Sequence, residues 1–207
     1  MEINPSQNKR AENYKLLIGG VLPRPIAFIT SQGKDGVLNA APFSFFNVVA
    51  TDPPMIAVTV MKKPGGIQKD TARNILEQQE FVINVVDEHN VEKVNHTACD
   101  YPPEISEVTE AGLTTSPSKV VGVPRIAEAR VHFECRLHQH LELGNGPNSD
   151  LIIGEIVQIH VDDSLYLGDG KIDTQKLAPI GRLAGTDYVT LGKIISMPRL
   201  VYQPKES

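Results

Sequence analysis

The segment from residue 62 to residue 75 has the residue types of a phosphate-binding site. It reads KKPGGIQKDTARNI and places Lys62 and Lys69 on either side of a Gly-Gly turn, with Thr71 and Asn74 at the start of a predicted helix. The first backbone N–H groups of a helix lack intrahelical partners, and the helix N-terminus carries a partial positive charge. A phosphate group would accept hydrogen bonds there, while the two lysines would add full charges. The segment therefore indicates a site for a phosphorylated small molecule.

An ordinary helix start explains the same segment. Asp70 or Thr71 would then cap the first turn, and the lysines would simply lie in solvent. The segment contains neither a P-loop nor a dinucleotide-binding glycine pattern. The choice between a phosphate site and a capped helix therefore depends on the rest of the chain.

A second candidate binding segment has the sequence NAAPFSFFN and begins at Asn39. The small residues Ala40 and Ala41 would let the backbone approach a flat ligand closely. Asn39, Ser44 and backbone N–H groups would donate hydrogen bonds to a heteroaromatic ring, and the three phenylalanines would cover it. A β-bulge beside a pair of core-facing aromatic side chains explains this segment as well.

The elements that must position these segments are mostly short β-strands. Apolar runs separated by Gly, Pro, Asn and Asp predict strands over residues 25–30, 37–40, 44–49, 55–60, 81–86, 129–143 and 151–161, and helices over 71–79 and 87–97. The proline-rich residues 99–124 predict a long loop over the sheet. Many closely spaced strands favour a mainly β protein with a few helices, built as a closed or nearly closed antiparallel barrel.

Composition and charge restrict the function classes. The chain has 207 residues, of which 41% are hydrophobic and 22% charged, and this fits a single domain over residues 1–207. A formal net charge of −5 disfavours a general nucleic-acid or membrane surface. The polar first 15 residues predict no signal peptide, no apolar run reaches the length of a membrane span, and two cysteines without a CxxC pattern predict no disulfide scaffold. A cytoplasmic protein is therefore expected.

Other residue types that carry chemistry have structural explanations. In a strand, His138, His140 and Glu142 would share one face, where two imidazoles and a carboxylate bind Zn²⁺ or iron, but a polar stripe facing solvent or a partner subunit accounts for them too. Cys135 is expected to be a small buried residue, and His160 a hydrogen-bonded structural histidine. We therefore nominate no metal site.

Six short motifs occur in a fixed order along the chain. They are Arg24–Ile29, Asn39–Ser44, Asp52–Pro54, Lys69–Thr71 with Asn74, Gly154–Val157 and Arg182–Tyr188. In this combination the chain resembles the flavin reductase-like family, which has the FMN-binding split β-barrel fold, an antiparallel barrel of the Greek-key type. Its members include flavin reductase components of two-component monooxygenases and the electron carrier flavoredoxin. The resemblance covers about residues 20–192, which would form the core of the domain.

The resemblance implies a site for FMN, with FAD as the alternative. The residues implied to line the isoalloxazine and ribityl groups are Thr30, Ser31, Asn39, Ala40, Ala41 and Ser44. Those implied to hold the phosphate are Lys62, Lys69, Thr71 and Asn74. Arg182 would reach the flavin or a nicotinamide, and Asp70 would cap the helix and not contact the phosphate. The chain departs from many relatives at Ala184, where they have glycine.

The resemblance also implies an activity. NADH or NADPH would pass a hydride to the flavin, and reduced flavin or electrons would go to a partner such as a monooxygenase component. Because the cofactor supplies the reactivity, we nominate no catalytic side chain. The family is implied to form homodimers with the flavin near the interface. Two alternatives are a flavoredoxin-like FMN electron-transfer protein without efficient NAD(P)H turnover, and a non-catalytic module that binds another phosphorylated ligand.

Overall fold

The computed structural model describes residues 1–146 and 148–202, so Pro147, in the predicted turn between the two long strands, lies outside the described residues. The strands are β1 Ala27–Gln32, β2 Leu38–Phe43, β3 Phe46–Thr51, β4 Pro54–Met61, β5 Glu80–Val85, β6 Thr115–Ser116, β7 Arg125–Ile126, β8 Val131–Leu143, β9 Ser149–Val161, β10 Tyr166–Gly168, β11 Lys171–Ile172, β12 Gly181–Arg182 and β13 Tyr188–Val189. The helices are α1 Arg10–Gly20, α2 Asp70–Gln78, α3 Val91–His96, α4 Glu107–Glu110 and α5 Thr174–Leu177, with 3-10 turns at Pro5–Gln7 and Pro64–Gly66. The expected mainly β chain with a few helices is confirmed.

Seven strands form one antiparallel sheet in the order β2-β1-β5-β8-β9-β4-β3. Its two edge strands, β2 and β3, follow each other in the chain and are joined only by Ser44 and Phe45, so the sheet must curl until its edges approach. The Thr59 N–H on β4 donates to the Phe45 carbonyl at 2.8 Å and holds this connection in place. The result is a nearly closed barrel with a seam where β2 turns into β3.

The barrel interior is the main hydrophobic core. Its buried members are Ala27, Ile29, Phe43, Ile56, Val58, Val60, Ala72, Ile75, Phe81, Ile83, Cys135 and Ile152. Phe81 packs directly on the backbone of Gly154, where a Cβ atom would come within 2.5 Å of the Phe81 Cζ atom. Close packing of this kind leaves room only for glycine at this position of β9.

A second apolar cluster covers the outer face of β1 and β2. Phe28 and Ala40 on these strands pack with Val94 from α3, Val108 from α4 and Leu113. Residues 99–124, which the sequence predicts as a loop, therefore include α4 and β6 and form a cover over β2. We call residues 99–124 the cover segment. It places some of its side chains beside the seam of the barrel.

Helix α2 closes one end of the barrel. Its residues Ala72 and Ile75 are fully buried. The helix is terminated by its C-cap residue Gln79, which has a left-handed backbone conformation (φ 65°). The N-cap residue is Lys69, so the expectation that Asp70 or Thr71 caps the helix is wrong. Asp70 is instead the first helical residue, where a carboxylate complements the partial positive charge of the helix N-terminus.

The remaining strand and helix predictions agree with the structure to within a few residues, except that α3 is shorter than the predicted 87–97. The long strands β8 and β9 pair from Val131 opposite Val161 to Leu143 opposite Ser149, with two shifts of register. In the described part of the chain, no helix has the length and apolar character needed to cross a membrane.

Candidate functional site

A cleft lies over the seam of the barrel. Three adjoining cavities of about 100, 150 and 210 Å³ share Pro42 and Phe43 and together form this cleft. One end is lined by the start of α2 and by residues 97–101, and the other end by Arg182 and Tyr188. The cleft is thus bounded by the end of β2, which the sequence predicts as a seat for a flat ring, and by the segment predicted to bind phosphate.

Buried polar side chains line the α2 end of the cleft. Their hydrogen bonds are satisfied when the Asn39 amide oxygen accepts from the Thr71 hydroxyl at 2.8 Å and its nitrogen donates to Glu107 Oε1 at 3.2 Å. Behind them, the Asn74 amide donates to Ser31 Oγ at 3.4 Å, and both of these side chains are buried. Ser31 and Asn74 therefore support the cleft wall, and Asn39 and Thr71 form its surface.

Two lysines border the same end. Lys69 is the N-cap residue of α2 and makes no ion pair within the described residues, so its charge is available to an anion at the helix N-terminus. Lys63 lies 4.0 Å from Asp70 and 3.9 Å from Asp100, and Asp70 also pairs with Arg73 at 2.6 Å. The α2 end of the cleft can hold an anion chiefly through Lys69 and Thr71.

Glu107 also lines this end. Its Oε2 atom accepts the Ala40 N–H at 2.9 Å, on the free edge of β2, and 8% of the residue is exposed. Burial raises the pKa of the Glu107 carboxyl group above its ordinary value, and the negative charge of Asp70 adds to this rise against the opposing effects of backbone hydrogen bonds and Lys63.

The far end of the cleft carries a fixed cation. The Arg182 guanidinium lies over the Tyr188 ring at 4.4 Å from its centroid and donates to the Gly185 carbonyl at 2.5 Å. Tyr188 in turn donates to Asn95 Oδ1 at 2.8 Å. These contacts hold the guanidinium of Arg182 at the mouth of the cleft.

Arg24 holds the turn between β2 and β3 from behind. It is 5% exposed and donates to the carbonyls of Ile18, Val21 and Leu183 at 2.7–2.9 Å. Its Nε atom reaches the Ser44 hydroxyl at 3.3 Å. Ser44 is thereby oriented at the point where the middle and far parts of the cleft meet.

The chemistry of the cleft is that of a site for an elongated ligand with an anionic end and a flat ring. A helix N-terminus with Lys69 and Thr71 suits a phosphate, Pro42 and Phe43 suit an aromatic ring, and Arg182 suits a second anionic or aromatic group. Residues 19–174 match the family model described as the flavin reductase like domain.

This protein belongs to the flavin reductase-like family. An uncharacterized protein of Halalkalibacterium halodurans is 51% identical, with 96% of each chain covered. The structure of nitrilotriacetate monooxygenase component B from Bacillus cereus is 45% identical and has a TM-score of 0.92, with 95% of this chain and 98% of that chain covered. The structure of the 2-nitrobenzoate 2-nitroreductase NbaA from Pseudomonas fluorescens is 32% identical and has a TM-score of 0.89, with 99% of both chains covered.

These similarities confirm the family and the split β-barrel fold inferred from the sequence motifs. Membership of the family also implies a flavin cofactor, and the donor set of the cleft fits one. The family model covers Asn39, Lys69 and Thr71 but ends before Arg182 and Tyr188, so these two residues of the far end of the cleft lie outside the matched region.

The structure brings most of the predicted site residues together. Those that line the cleft are Asn39, Ala41, Ser44, Lys69, Thr71 and Arg182. Ser31 and Asn74 lie directly behind its wall, and Ala40 contributes a backbone N–H, which Glu107 accepts. These residues remain predicted flavin contacts.

Two predicted residues lie elsewhere. The Thr30 hydroxyl is buried and donates to the Pro124 carbonyl at 2.8 Å, away from the cleft. The Lys62 side chain is 7% exposed and forms ion pairs with Glu142 and with Asp150, 3.7 Å away. Lys62 therefore neutralises carboxylates at the end of the barrel, and Lys63, for which the sequence predicts no role, lines the cleft in its place.

The predicted alignment of His138, His140 and Glu142 on one face of a strand is also changed. The register of β8 shifts between Leu137 and Gln139, so His138 is an extra residue that breaks the expected alternation. His140 Nε2 lies 2.8 Å from Asp150 Oδ1, and Glu142 pairs with Lys62. Within residues 1–146 and 148–202, no group of three His, Cys, Asp or Glu side chains is arranged to hold a metal ion.

The other two expectations for single residues agree with the structure. Cys135 is fully buried in the barrel core, and burial raises the pKa of its thiol, so it packs as a small apolar residue. His160 Nε2 lies 2.5 Å from Glu134 Oε1, as expected of a structural histidine.

Proposed function

We propose that this protein is an NAD(P)H-dependent flavin reductase of the cytoplasm that uses FMN. The observation that carries the proposal is the cleft at the seam, in which Lys69 and Thr71 stand at one end and Arg182 at the other, on a flavin reductase-like fold. A phosphate at the α2 end is chemically matched by the helix N-terminus and an ammonium group. FAD would need the cleft to accommodate a second phosphate and an adenosine as well, so FMN is the simpler occupant.

The residues of the cleft would act by binding and orientation. A bound flavin supplies the hydride-accepting atom, which the side chains of the protein cannot supply. Lys69 and Thr71 would hold the phosphate, Pro42 and Phe43 would back the ring, and Ser44 would donate to a ring heteroatom. In this proposal no side chain has to move a proton at a fixed atom.

The partner that receives the electrons is proposed from similarity. The Bacillus cereus relative is named as component B of a nitrilotriacetate monooxygenase, and the similarity to this chain extends over nearly the whole of both chains. We infer that this protein likewise supplies reduced flavin to a separate oxygenase component.

A second candidate is favoured by the similarity to NbaA over 99% of both chains, because that relative is named as a reductase of a small aromatic acceptor. In this case the flavin would stay bound and reduce the acceptor in the same cleft. An electron carrier of the flavoredoxin type would also keep its flavin but would react slowly with nicotinamides, and a non-catalytic module would retain another phosphorylated ligand.

The absorbance spectrum of the purified protein, followed on addition of NADH or NADPH with and without FMN, tests the proposal. We expect rapid oxidation of one nicotinamide that requires FMN and reaches many turnovers with free flavin as the acceptor. Retained flavin that nicotinamides reduce slowly would favour the electron carrier. Protein that neither carries nor binds flavin and oxidises no nicotinamide would refute the proposed function.

We further propose that the protein is a homodimer. The outer surfaces of α1 and β3 expose Leu17, Val21, Val48 and Val49, and a cavity of about 460 Å³ between them is mostly apolar. An apolar patch of this kind is typical of a protein interface, and it adjoins Ser44 in the cleft.

Sedimentation measurements test this interface. The double variant Leu17→Lys and Val48→Lys is expected to be monomeric, because it buries two charges in the proposed interface. The matched control is Val120→Lys, on the cover segment, where the residue is 40% exposed. A native protein that is monomeric at all concentrations, or a double variant that remains dimeric, would contradict the proposal.

A further inference from the structure

Glu107 occupies a position in the cleft that the proposed function does not explain. It lies 67 residues from Ala40 in the chain, yet its carboxylate accepts the Ala40 N–H at the free edge of β2. Its neighbour Ser106 donates to the Leu38 carbonyl at 2.5 Å, so α4 is fixed to β2 at two points. A buried carboxylate is thus held rigidly in the wall of the cleft.

The carboxylate is placed against the expected phosphate. A single Asn39 amide bridges Thr71 and Glu107, contacting one at 2.8 Å and the other at 3.2 Å. A phosphate bound at Thr71 would therefore lie only several ångström from the Glu107 carboxylate. No lysine, arginine or histidine nitrogen in the described part of the chain lies within 4.0 Å of that carboxylate, whereas Asp70 is paired with Arg73.

We infer that Glu107 selectively weakens the binding of phosphorylated flavin, and that FMN consequently exchanges as a substrate and does not remain as a prosthetic group. The inference rests on the proposed function, because it concerns the same cleft. Like charges repel across a partly buried site far more than in water. The repulsion acts on the phosphate and leaves riboflavin, which has none, unaffected.

The variant Glu107→Gln tests the inference directly. Glutamine removes the charge and keeps an oxygen that accepts the Ala40 N–H. Its amide nitrogen takes the place of Glu107 Oε1, so the Asn39 amide turns over, presents its oxygen to the glutamine and donates to the Thr71 hydroxyl oxygen. At neutral pH we expect the variant to bind FMN on the order of tenfold more tightly than the native protein and riboflavin with unchanged affinity. Glu110→Gln is the matched control, since it removes a charge from the same helix at an exposed position.

The pH dependence of the native protein provides a second measurement. As the pH falls through the raised pKa of Glu107, the carboxyl group becomes neutral and the preference for FMN over riboflavin should increase. Protonation of the phosphate itself, with a second pKa of about 6, acts in the opposite direction because a monoanion is held less strongly by Lys69. The charged or titratable groups that line the same end of the cleft as Glu107 are Lys63, Lys69, Asp70, Cys99, Asp100 and Tyr101, all of which Glu107→Gln retains.

The outcomes separate the inference from the proposed function. Tighter FMN binding by Glu107→Gln, with no change for riboflavin, supports it. Unchanged or weaker FMN binding by a variant that melts like the native protein overturns it while leaving the flavin site intact. If the variant does not fold, the native protein decides through riboflavin 5′-sulfate, whose charge stays fixed over this pH range. Its affinity relative to riboflavin should rise as the pH falls through the raised pKa of Glu107, and a ratio that stays constant or falls would overturn the inference. Failure of the native protein to bind either flavin would refute the proposed function itself.

Discussion

The double variant Lys69→Ala and Thr71→Ala is expected to bind FMN at least about tenfold to a hundredfold more weakly than the native protein, with riboflavin binding nearly unchanged. A charge-assisted hydrogen bond contributes about 1.5–3 kcal/mol, and the variant removes the Lys69 ammonium group and the Thr71 hydroxyl from the N-terminus of α2. The single proton of that hydroxyl would turn from the Asn39 amide oxygen to the phosphate when FMN binds. Only FMN carries the phosphate that these groups would contact. Fluorescence titration with both flavins measures the difference.

Two comparisons make this result specific. Lys34→Ala with Thr109→Ala removes the same groups from exposed positions and is expected to leave both affinities unchanged. Lys62→Ala is expected to show no selective loss of FMN, because Lys62 is paired with Glu142 and Asp150. Equal weakening of both flavins by the double variant would place the phosphate elsewhere.

The contrast between Lys62 and Lys63 shows what the sequence could predict of the site. The motif, the turn and the helix start are local features, and the structure confirms their arrangement around α2. Which lysine faces the cleft depends on the register of β4, since Val58 and Val60 point into the barrel and Lys62 continues on that face. The alternation is present in the sequence, but the predicted strand ends at residue 60 and so does not extend it to Lys62.

Glu107 could not be found in this way. Its contact with Ala40 joins residues 67 positions apart, and the segment that carries it has the proline-rich composition of a loop. The predicted stripe of His138, His140 and Glu142 is broken for a related reason, because a bulge at His138 takes that residue out of the alternation that His140 and Glu142 keep. Tertiary contacts and bulges determine these positions, and a single sequence records neither.

The variant Glu134→Ala is expected to lower the free energy of unfolding by about 3–5 kcal/mol, because it leaves several buried donors without a partner. Glu134 is fully buried and accepts the backbone N–H groups of Lys119 and Val120 at 2.7 Å and of Val121 at 3.1 Å. These hydrogen bonds fix the cover segment, residues 99–124, to the barrel. Further along the same segment, the Pro124 carbonyl accepts a hydrogen bond from the Thr30 hydroxyl. Urea unfolding measures the loss, and Glu104→Ala, an exposed site on the same segment, is the control.

The acid sensitivity of the native fold follows from the same carboxylate. Burial alone would raise the pKa of Glu134, but the backbone N–H groups and His160 outweigh it and lower the pKa from 4.5 to about 2. Because the pKa of Glu134 is lower in the folded protein than in the unfolded chain, the ionised carboxylate stabilises the fold. This contribution to the free energy of unfolding is complete above pH 4.5 and is lost as the pH falls through 2. At 1.36 kcal/mol per pKa unit it amounts to about 3 kcal/mol.

A second buried group acts in a separate pH window. Burial lowers the pKa of His132 from 6.5 to about 4, so the unfolded chain takes up a proton at a higher pH than the folded protein does. Native stability should therefore decrease first between pH 6.5 and 4 and then again below 4.5. Glu134→Gln removes the charge and puts an amide nitrogen in place of one accepting oxygen, so it should be less stable at neutral pH. It should nevertheless retain the first decrease and lose the second. A variant whose unfolding free energy still falls as steeply as that of the native protein between pH 4.5 and 2 would show that another group controls acid stability.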